Sequence, residues 1–65
     1  MNTTQLECFI SLSNTLNYMK SSEQLGLSQP AVTKQIKSLE NELGARLFDR
    51  TTRSVSLTQI GRKFL

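Results

Sequence analysis

The sequence predicts a mostly α-helical domain: three helices, then a two-stranded β-hairpin, then the start of a fourth helix. Apolar residues recur at helical spacing in two segments. Small polar residues and glycines stand where those helices should begin and end, and a short alternating segment follows them. With 65 residues the chain makes one small domain, which buries only about 60% of its unfolded surface.

The first helix is predicted from Leu6, Phe9 and Ile10, which have the i, i+3, i+4 spacing of a buried helix face. We expect Thr3 or Thr4 to cap it, because a side-chain hydroxyl can accept from the free backbone N–H groups there. The polar segment SNTLN should end it.

Two further helices are predicted on either side of a tight turn. Asn17 should cap the first of them, residues 18–25, and Gly26 stands where a left-handed residue ends a helix. After a buried turn residue, Leu27, Ser28 should cap a helix that ends near residue 43, before the next glycine.

This third helix has two chemically different faces at about 100° per residue. The apolar face is predicted to be core and consists of Val32, Ile36, Leu39 and Leu43. The opposite face offers donors and cations, and it carries Pro30, Thr33, Lys34, Lys37 and Asn41. Carboxylates come only at the C-terminal end, at Glu40 and Glu42.

A β-hairpin is predicted from residues 46–50 and 55–57, which flank a polar turn with Arg50 and Arg53 near its tip. Thr58 should cap a last helix from residue 59 onward. The remaining predicted core residues are Leu25, Leu27, Phe48 and Leu57.

Composition narrows the function classes. The chain has one cysteine, Cys8, and no histidine, so we expect a structural thiol, no internal disulfide and no zinc or other cofactor. No apolar run approaches the roughly 20 residues needed to span a bilayer, and the start lacks a signal peptide. We therefore expect a cytoplasmic protein. Without a nucleophile–base pair or a Gly-rich phosphate loop, we do not expect an enzyme.

Positive charge is concentrated in the second part of the chain. Residues 1–28 hold one Lys against two Glu, a net charge of −1, whereas residues 29–65 hold seven Lys or Arg against three acids, a net charge of +4. A basic face favours a polyanionic partner, because phosphate neutralisation releases counterions. It is also compatible with a solvated surface that only maintains solubility.

Two short helices, a glycine-containing turn and a polar outer face on the second helix are typical of a helix-turn-helix, which places that second helix in the major groove of DNA. Gln29 can pair with adenine, and Thr33 or Lys34 can reach a base or a phosphate. Lys37, one turn further on, should meet the backbone. Ser21 and Ser22 are small enough for close helix crossing, and their hydroxyls should find backbone carbonyls one turn back.

The hairpin provides a second set of candidate contacts. Arg53 at its tip is predicted to enter the minor groove, whose negative potential attracts arginine. Arg50 and Thr51 are predicted to hold flanking phosphates, which positions the domain without reading much sequence. Arg50 has an alternative, since it could instead pair with a nearby carboxylate.

The stretch LGLSQPAVTKQIKSLENELGARLFDRTTRSVSLTQIG, with the leading MNTTQLECFISL, resembles the N-terminal winged helix-turn-helix of LysR-type transcriptional regulators over the whole chain. The resemblance implies that Gln29, Pro30, Thr33 and Lys34 face the major groove and that Arg53 serves the wing. The chain departs from the family in having Ser21-Ser22 for Ala-Ala, and Thr52 and Ser54 where the wing often has glycines.

The resemblance also implies an organisation and a set of partners. Residues 1–58 would form the DNA-binding domain and residues 59–65 the start of a dimerising linker helix. Full-length members bind double-stranded DNA as homodimers or tetramers and take a small-molecule effector through a C-terminal domain that this sequence does not include. The alternative is a protein-interaction module on the same scaffold, which predicts an exposed apolar patch and little dependence of binding on salt.

Overall fold

The computed structural model describes residues 2–50 and 54–65, and within them the element order matches the predicted architecture. The helices are α1 Thr3–Thr15, α2 Tyr18–Leu25, α3 Gln29–Leu43 and α4 Gln59–Phe64. The strands are β1 Phe48–Arg50 and β2 Val55–Leu57, an antiparallel pair. Among these described residues, no helix has both the length and the apolar character needed to cross a bilayer.

The helix ends follow side-chain chemistry, with one correction. Asn17 and Ser28 cap α2 and α3 as predicted, and Gly26 ends α2 in the left-handed region with φ 68°. The prediction that Thr3 or Thr4 caps α1 is wrong. Asn2 is the cap, because its side chain accepts from the Gln5 backbone N–H at 2.8 Å while the Gln5 side chain accepts from the Asn2 N–H at 3.0 Å. This reciprocal pair places both threonines inside the helix.

The core lies between the three long helices and the first strand. From α3 it takes Val32, Ile36 and Leu39, as predicted, and Leu43 is half-buried beside them. Phe9 and Phe48 pack edge to face with their ring centroids 5.7 Å apart. The other fully buried apolar residues are Cys8, Leu12 and Leu47, and the half-buried ones that pack on this core include Leu25, Leu27, Val55 and Leu57.

The inward face of α1 differs from the predicted one. Leu6 and Ile10 are 40% and 52% exposed, so their assignment to the core is wrong. The buried residues of α1 are Gln5, Cys8, Phe9, Ser11 and Leu12. The spacing of large apolar residues misidentified the face, because two of the buried positions carry polar side chains that form hydrogen bonds instead of apolar contacts.

Hydroxyl groups join α1 to α2. The Ser21 hydroxyl, fully buried, lies 3.1 Å from the Ser11 hydroxyl and 2.7 Å from the Thr15 hydroxyl. The expectation of a backbone partner is therefore wrong for Ser21, whose small side chain faces α1 directly. It is confirmed for Ser22, which donates to the Met19 carbonyl at 2.7 Å.

The hairpin begins later than predicted and is joined tightly to α4. β1 starts at Phe48 and not at residue 46, and Phe48 pairs with Leu57. Thr58 caps α4 as predicted, accepting from the Gly61 N–H at 3.0 Å, and its hydroxyl donates to the Arg46 carbonyl at 2.6 Å. The Thr58 N–H also bonds the Leu47 carbonyl, at 3.0 Å, so α4 is attached to the segment that leads into β1.

Candidate functional site

The outer side of α3 forms a shallow concavity whose wall is made by this one helix. The residues that line it are Gln29, Pro30, Thr33, Lys34, Lys37, Ser38 and Asn41. It thus brings together all five residues of α3 that the sequence singled out for DNA contact. Ser38 and Asn41 were not among those candidates, although the helical period already placed Asn41 on the outer face and would have added Ser38.

Four polar side chains of this concavity have no internal partner among the described residues, and we call such groups uncommitted. Gln29, Lys34 and Lys37 are exposed and Thr33 is half-buried. In residues 2–50 and 54–65 none of these four side chains makes a hydrogen bond or an ion pair. An amide, a hydroxyl and two ammonium groups are therefore all available to an external partner, and no carboxylate lines the surface beside them.

The concavity is held in place by the opposite side of the same helix. Val32 and Ile36 are fully buried and Leu39 is 1% exposed, so α3 is anchored along its length by α1 and α2. At its N-terminus the Ser28 hydroxyl accepts from the Ala31 N–H at 3.2 Å. A helix fixed in this way presents its outer side chains from a rigid backbone.

The C-terminal end of α3 carries a second polar cluster, and here the groups are committed. Glu40 accepts from the backbone N–H groups of Leu47 and Phe48, at 2.8 and 3.2 Å, through one carboxylate oxygen. Its other oxygen lies 3.4 Å from Nη2 of Arg50. The Nε of Arg50 donates to the Tyr18 hydroxyl at 2.6 Å, and the guanidinium carbon lies 5.6 Å from the centre of the Tyr18 ring.

Burial shapes the acid–base properties of two groups outside the concavity. Desolvation raises the pKa of the Tyr18 phenol above its ordinary 10.0, and the neighbouring Arg50 opposes this by stabilising the phenolate. Burial, together with the nearby Glu7 carboxylate, also raises the pKa of the Cys8 thiol. Cys8 is therefore held as a neutral, buried thiol, in line with the structural role expected for it.

The three hairpin candidates have two different outcomes. Arg50 takes the alternative that the sequence left open, since it pairs with a carboxylate, Glu40. Thr51 and Arg53 lie outside the described residues, so their predicted contacts stay predictions. Sequence reasoning did not single out Tyr18 or Glu40, whose partners are 32 and 10 residues away in the chain and follow no local pattern.

The second helix of the pair, α3, has one buried apolar face and one exposed polar face, and a β-hairpin follows it. This arrangement defines a winged helix-turn-helix. Comparison with known proteins agrees. The family model of the bacterial regulatory helix-turn-helix proteins of the LysR family matches residues 3–62. The chain therefore belongs to the LysR family.

Two of the relatives are named as a transcriptional activator and a transcriptional regulator. The chain is 46% identical over 65 residues to the HTH-type transcriptional activator IlvY of Haemophilus influenzae, covering 100% of this chain and 22% of that protein. It is 47% identical over 60 residues to the HTH-type transcriptional regulator ShiR of Corynebacterium glutamicum, covering 92% and 20% respectively. Across the first matched relatives the chain spans only 19% to 45% of their length.

A solved structure gives the same architecture. The crystal structure of the CbnR DNA-binding domain in complex with DNA superposes with a TM-score of 0.95 at 37% identity, covering 100% of this chain and 75% of that one. Full-length CbnR complexed with its target DNA superposes with a TM-score of 0.94 and is covered to 23%.

Proposed function

We propose that this chain is the DNA-binding part of a LysR-type transcriptional regulator and binds double-stranded DNA sequence-specifically through α3. The observation that carries the proposal is the row of uncommitted donors and cations on the outer side of that helix. A B-DNA major groove admits an α-helix and displays acceptors that such groups can read. That solved relatives are complexes with DNA supports the same assignment.

Within α3 we assign two kinds of contact. Gln29, Pro30, Thr33 and Lys34 stand at or near the N-terminal end of the helix, the part that a helix-turn-helix directs at base edges. Lys37 stands a turn further on and neutralises phosphate. The first kind of contact selects sequence, and the second contributes affinity that depends on salt.

The hairpin is assigned to the minor groove. Arg53 would enter the groove and Thr51 would hold a flanking phosphate, as the family resemblance and the preference of arginine for negative potential suggest. Residues 1–58 would form the DNA-binding domain. Residues 59–65 would begin a helix through which a longer protein dimerises or forms tetramers, with an effector domain beyond it. We place that protein in the cytoplasm, together with its DNA.

A titration of this chain against a duplex of about 30 base pairs at several salt concentrations tests the proposal. We expect the logarithm of the association constant to fall linearly with the logarithm of salt concentration, with a slope near −0.9 for each phosphate neutralised. A duplex selected from a random pool should bind more tightly than an unselected one. Absence of duplex binding at low salt would refute the proposal.

A protein-interaction module is the second candidate, and one observation favours it. Leu6 and Ile10 lie one turn apart on α1 and are both exposed, although the sequence suggested that they were core. The same titration separates the two functions, because binding through an apolar patch depends little on salt whereas binding to phosphate weakens steeply.

A further inference from the structure

We propose that Glu40, Arg50 and Tyr18 form a positioning network that sets where the hairpin lies relative to α3 on DNA, and that Arg50 serves this network and does not contact phosphate. The inference rests on the proposed function and adds to it a role for three residues outside the reading face. An acidic side chain, Glu40, stands near the end of a helix that is proposed to approach phosphates, where its charge alone would oppose binding.

Glu40 connects α3 to the start of the hairpin through three bonds. Its carboxylate accepts from the consecutive N–H groups of Leu47 and Phe48 and pairs with Arg50, and its side chain is only 11% exposed. Hydrogen bonds to an ionised acceptor are roughly twice as strong as neutral ones. The bond from Leu47 also explains why β1 begins at Phe48, because the N–H group just before that point is directed at α3 and not across the sheet.

Arg50 extends this connection from β1 to α2. Its Nε donates to Tyr18, the first residue of α2, and its Nη2 reaches Glu40, so one planar guanidinium bridges two helices. Tyr18 in turn is half-buried and packs on the core. The last described residue before the hairpin turn is thereby fixed against both helices of the helix-turn-helix. Arg53, the proposed minor-groove contact, follows three residues later in the sequence.

Committed groups are poor candidates for phosphate contacts. Arg50 is 26% exposed, and two of its nitrogens already have partners. Lys34 and Lys37 are also cations, but they are exposed and have no internal partner among the described residues. Moving its guanidinium to DNA would leave Glu40 with an unpaired carboxylate oxygen near phosphates, and removing one partner of a largely buried ion pair is destabilising. The partnered geometry is therefore the one that supports DNA binding.

Replacing Glu40 by Gln gives a test in which the loss of charge and the loss of hairpin positioning predict opposite changes in DNA affinity. Glu40→Gln removes one negative charge, and charge alone would tighten binding to DNA. It also turns an amide N–H₂ group toward the donors of Leu47, Phe48 or Arg50, which releases the hairpin. The control is Glu23→Gln, which makes the same charge change at an exposed position of α2.

The measurement uses this 65-residue chain and two duplexes that share a sequence selected by it from a random pool. One duplex covers only the α3 contact, and the other extends by about ten base pairs, one helical turn, at each end. We expect wild type and Glu23→Gln to bind the longer duplex roughly 10-fold more tightly, because the hairpin then meets phosphate and minor groove. For Glu40→Gln we expect that ratio to fall to about 2.

The ratio separates positioning from a general loss of folding, because a smaller folded fraction weakens binding to both duplexes equally and leaves the ratio at its wild-type value. If circular dichroism shows Glu40→Gln unfolded, Tyr18→Phe decides, since it removes only the hydroxyl that accepts from Arg50. It should lower the ratio in the same direction by about 3-fold.

An unchanged ratio in the folded variants, or a wild-type ratio near 1, would overturn the network's role while leaving DNA binding by α3 intact. Failure of wild type to bind either duplex would instead overturn the proposed function and this inference with it.

Discussion

The two ends of α3 treat polar side chains in opposite ways. Toward the N-terminus, Gln29, Lys34 and Lys37 are exposed and make no internal bonds among the described residues, whereas at the C-terminal end Glu40 is bonded to three other groups. Charge alone does not decide which groups are available, since Lys34 has no internal partner among the described residues whereas Arg50, also a cation, is bonded to Glu40 and Tyr18. What distinguishes them is whether the group already has a partner, and a group without one is free to bind a ligand.

The largest predicted effect comes from the apolar face that supports both ends. Ile36→Ala should destabilise the fold by about 2–5 kcal/mol, because the fully buried side chain leaves a cavity. Thermal unfolding followed by circular dichroism measures the change. Ile60→Ala, at an exposed position of α4, is the control and should shift stability by no more than about 0.5 kcal/mol. Equal melting temperatures for the two variants would mean that Ile36 does not anchor α3.

The segment before β1, whose Leu47 N–H is bonded to Glu40 at the committed end of α3, should also be sensitive to crowding by α4. A β-carbon at Gly61 would overlap the Leu47 carbonyl oxygen and lie 2.9 Å from Leu57 Cδ2. Gly61→Ala should therefore destabilise by about 1–3 kcal/mol in spite of the better helix propensity of alanine. Urea denaturation compares it with Arg62→Ala, an exposed neighbour. A Gly61 variant as stable as that neighbour would show that the close approach has no energetic importance.

At the uncommitted end, Gln29→Ala should leave the fold intact and relax base preference. The expected loss is about 1–3 kcal/mol of discrimination at one base pair, the contribution of a bidentate amide–adenine contact. Competition binding with duplexes that differ at single positions measures it. A uniform loss on all duplexes would place Gln29 on phosphate and not on a base.

Lys37→Ala should show the complementary behaviour. Binding to every duplex should weaken, and the slope of the association constant against salt should fall by about 1 because one phosphate contact is lost. Lys63→Ala on α4 makes the same charge change away from the concavity and serves as the control. Identical slopes for the two variants would remove Lys37 from the contact surface.

The smallest effect concerns Tyr18 at the committed end. Burial raises the pKa of its phenol in the folded state above 10.0, so the unfolded chain loses that proton first. The contribution of Tyr18 to stability is therefore complete below pH 10 and is lost as the pH rises through the folded-state pKa. The chain has one tyrosine, so phenolate absorbance reports the titration directly. Tyr18→Phe should lack this loss, and a phenol that titrates at or below 10.0 would contradict the prediction.

Local chemistry in the sequence was enough to predict most helix ends and the buried face of α3. Caps such as Asn17 and Ser28, the stop at Gly26 and the apolar period of Val32, Ile36 and Leu39 depend on neighbours within one or two turns. The same period placed Gln29, Thr33, Lys34 and Lys37 on one face. The α1 cap was misplaced by one or two residues, because the choice between Asn2 and the threonines depends on the partner three residues along.

The inward face of α1 and the partners of Arg50 depended instead on which segments pack against each other. Tertiary packing decided that α1 turns Gln5 and Ser11 inward and leaves Leu6 and Ile10 exposed, since buried polar groups are acceptable only where a partner is in reach. It also decided that Arg50 is bonded to Tyr18 and Glu40. A helical period is a property of consecutive residues, so the sequence by itself determined α3 and its two faces. A hydrogen bond between residues 32 positions apart exists only after the chain has folded.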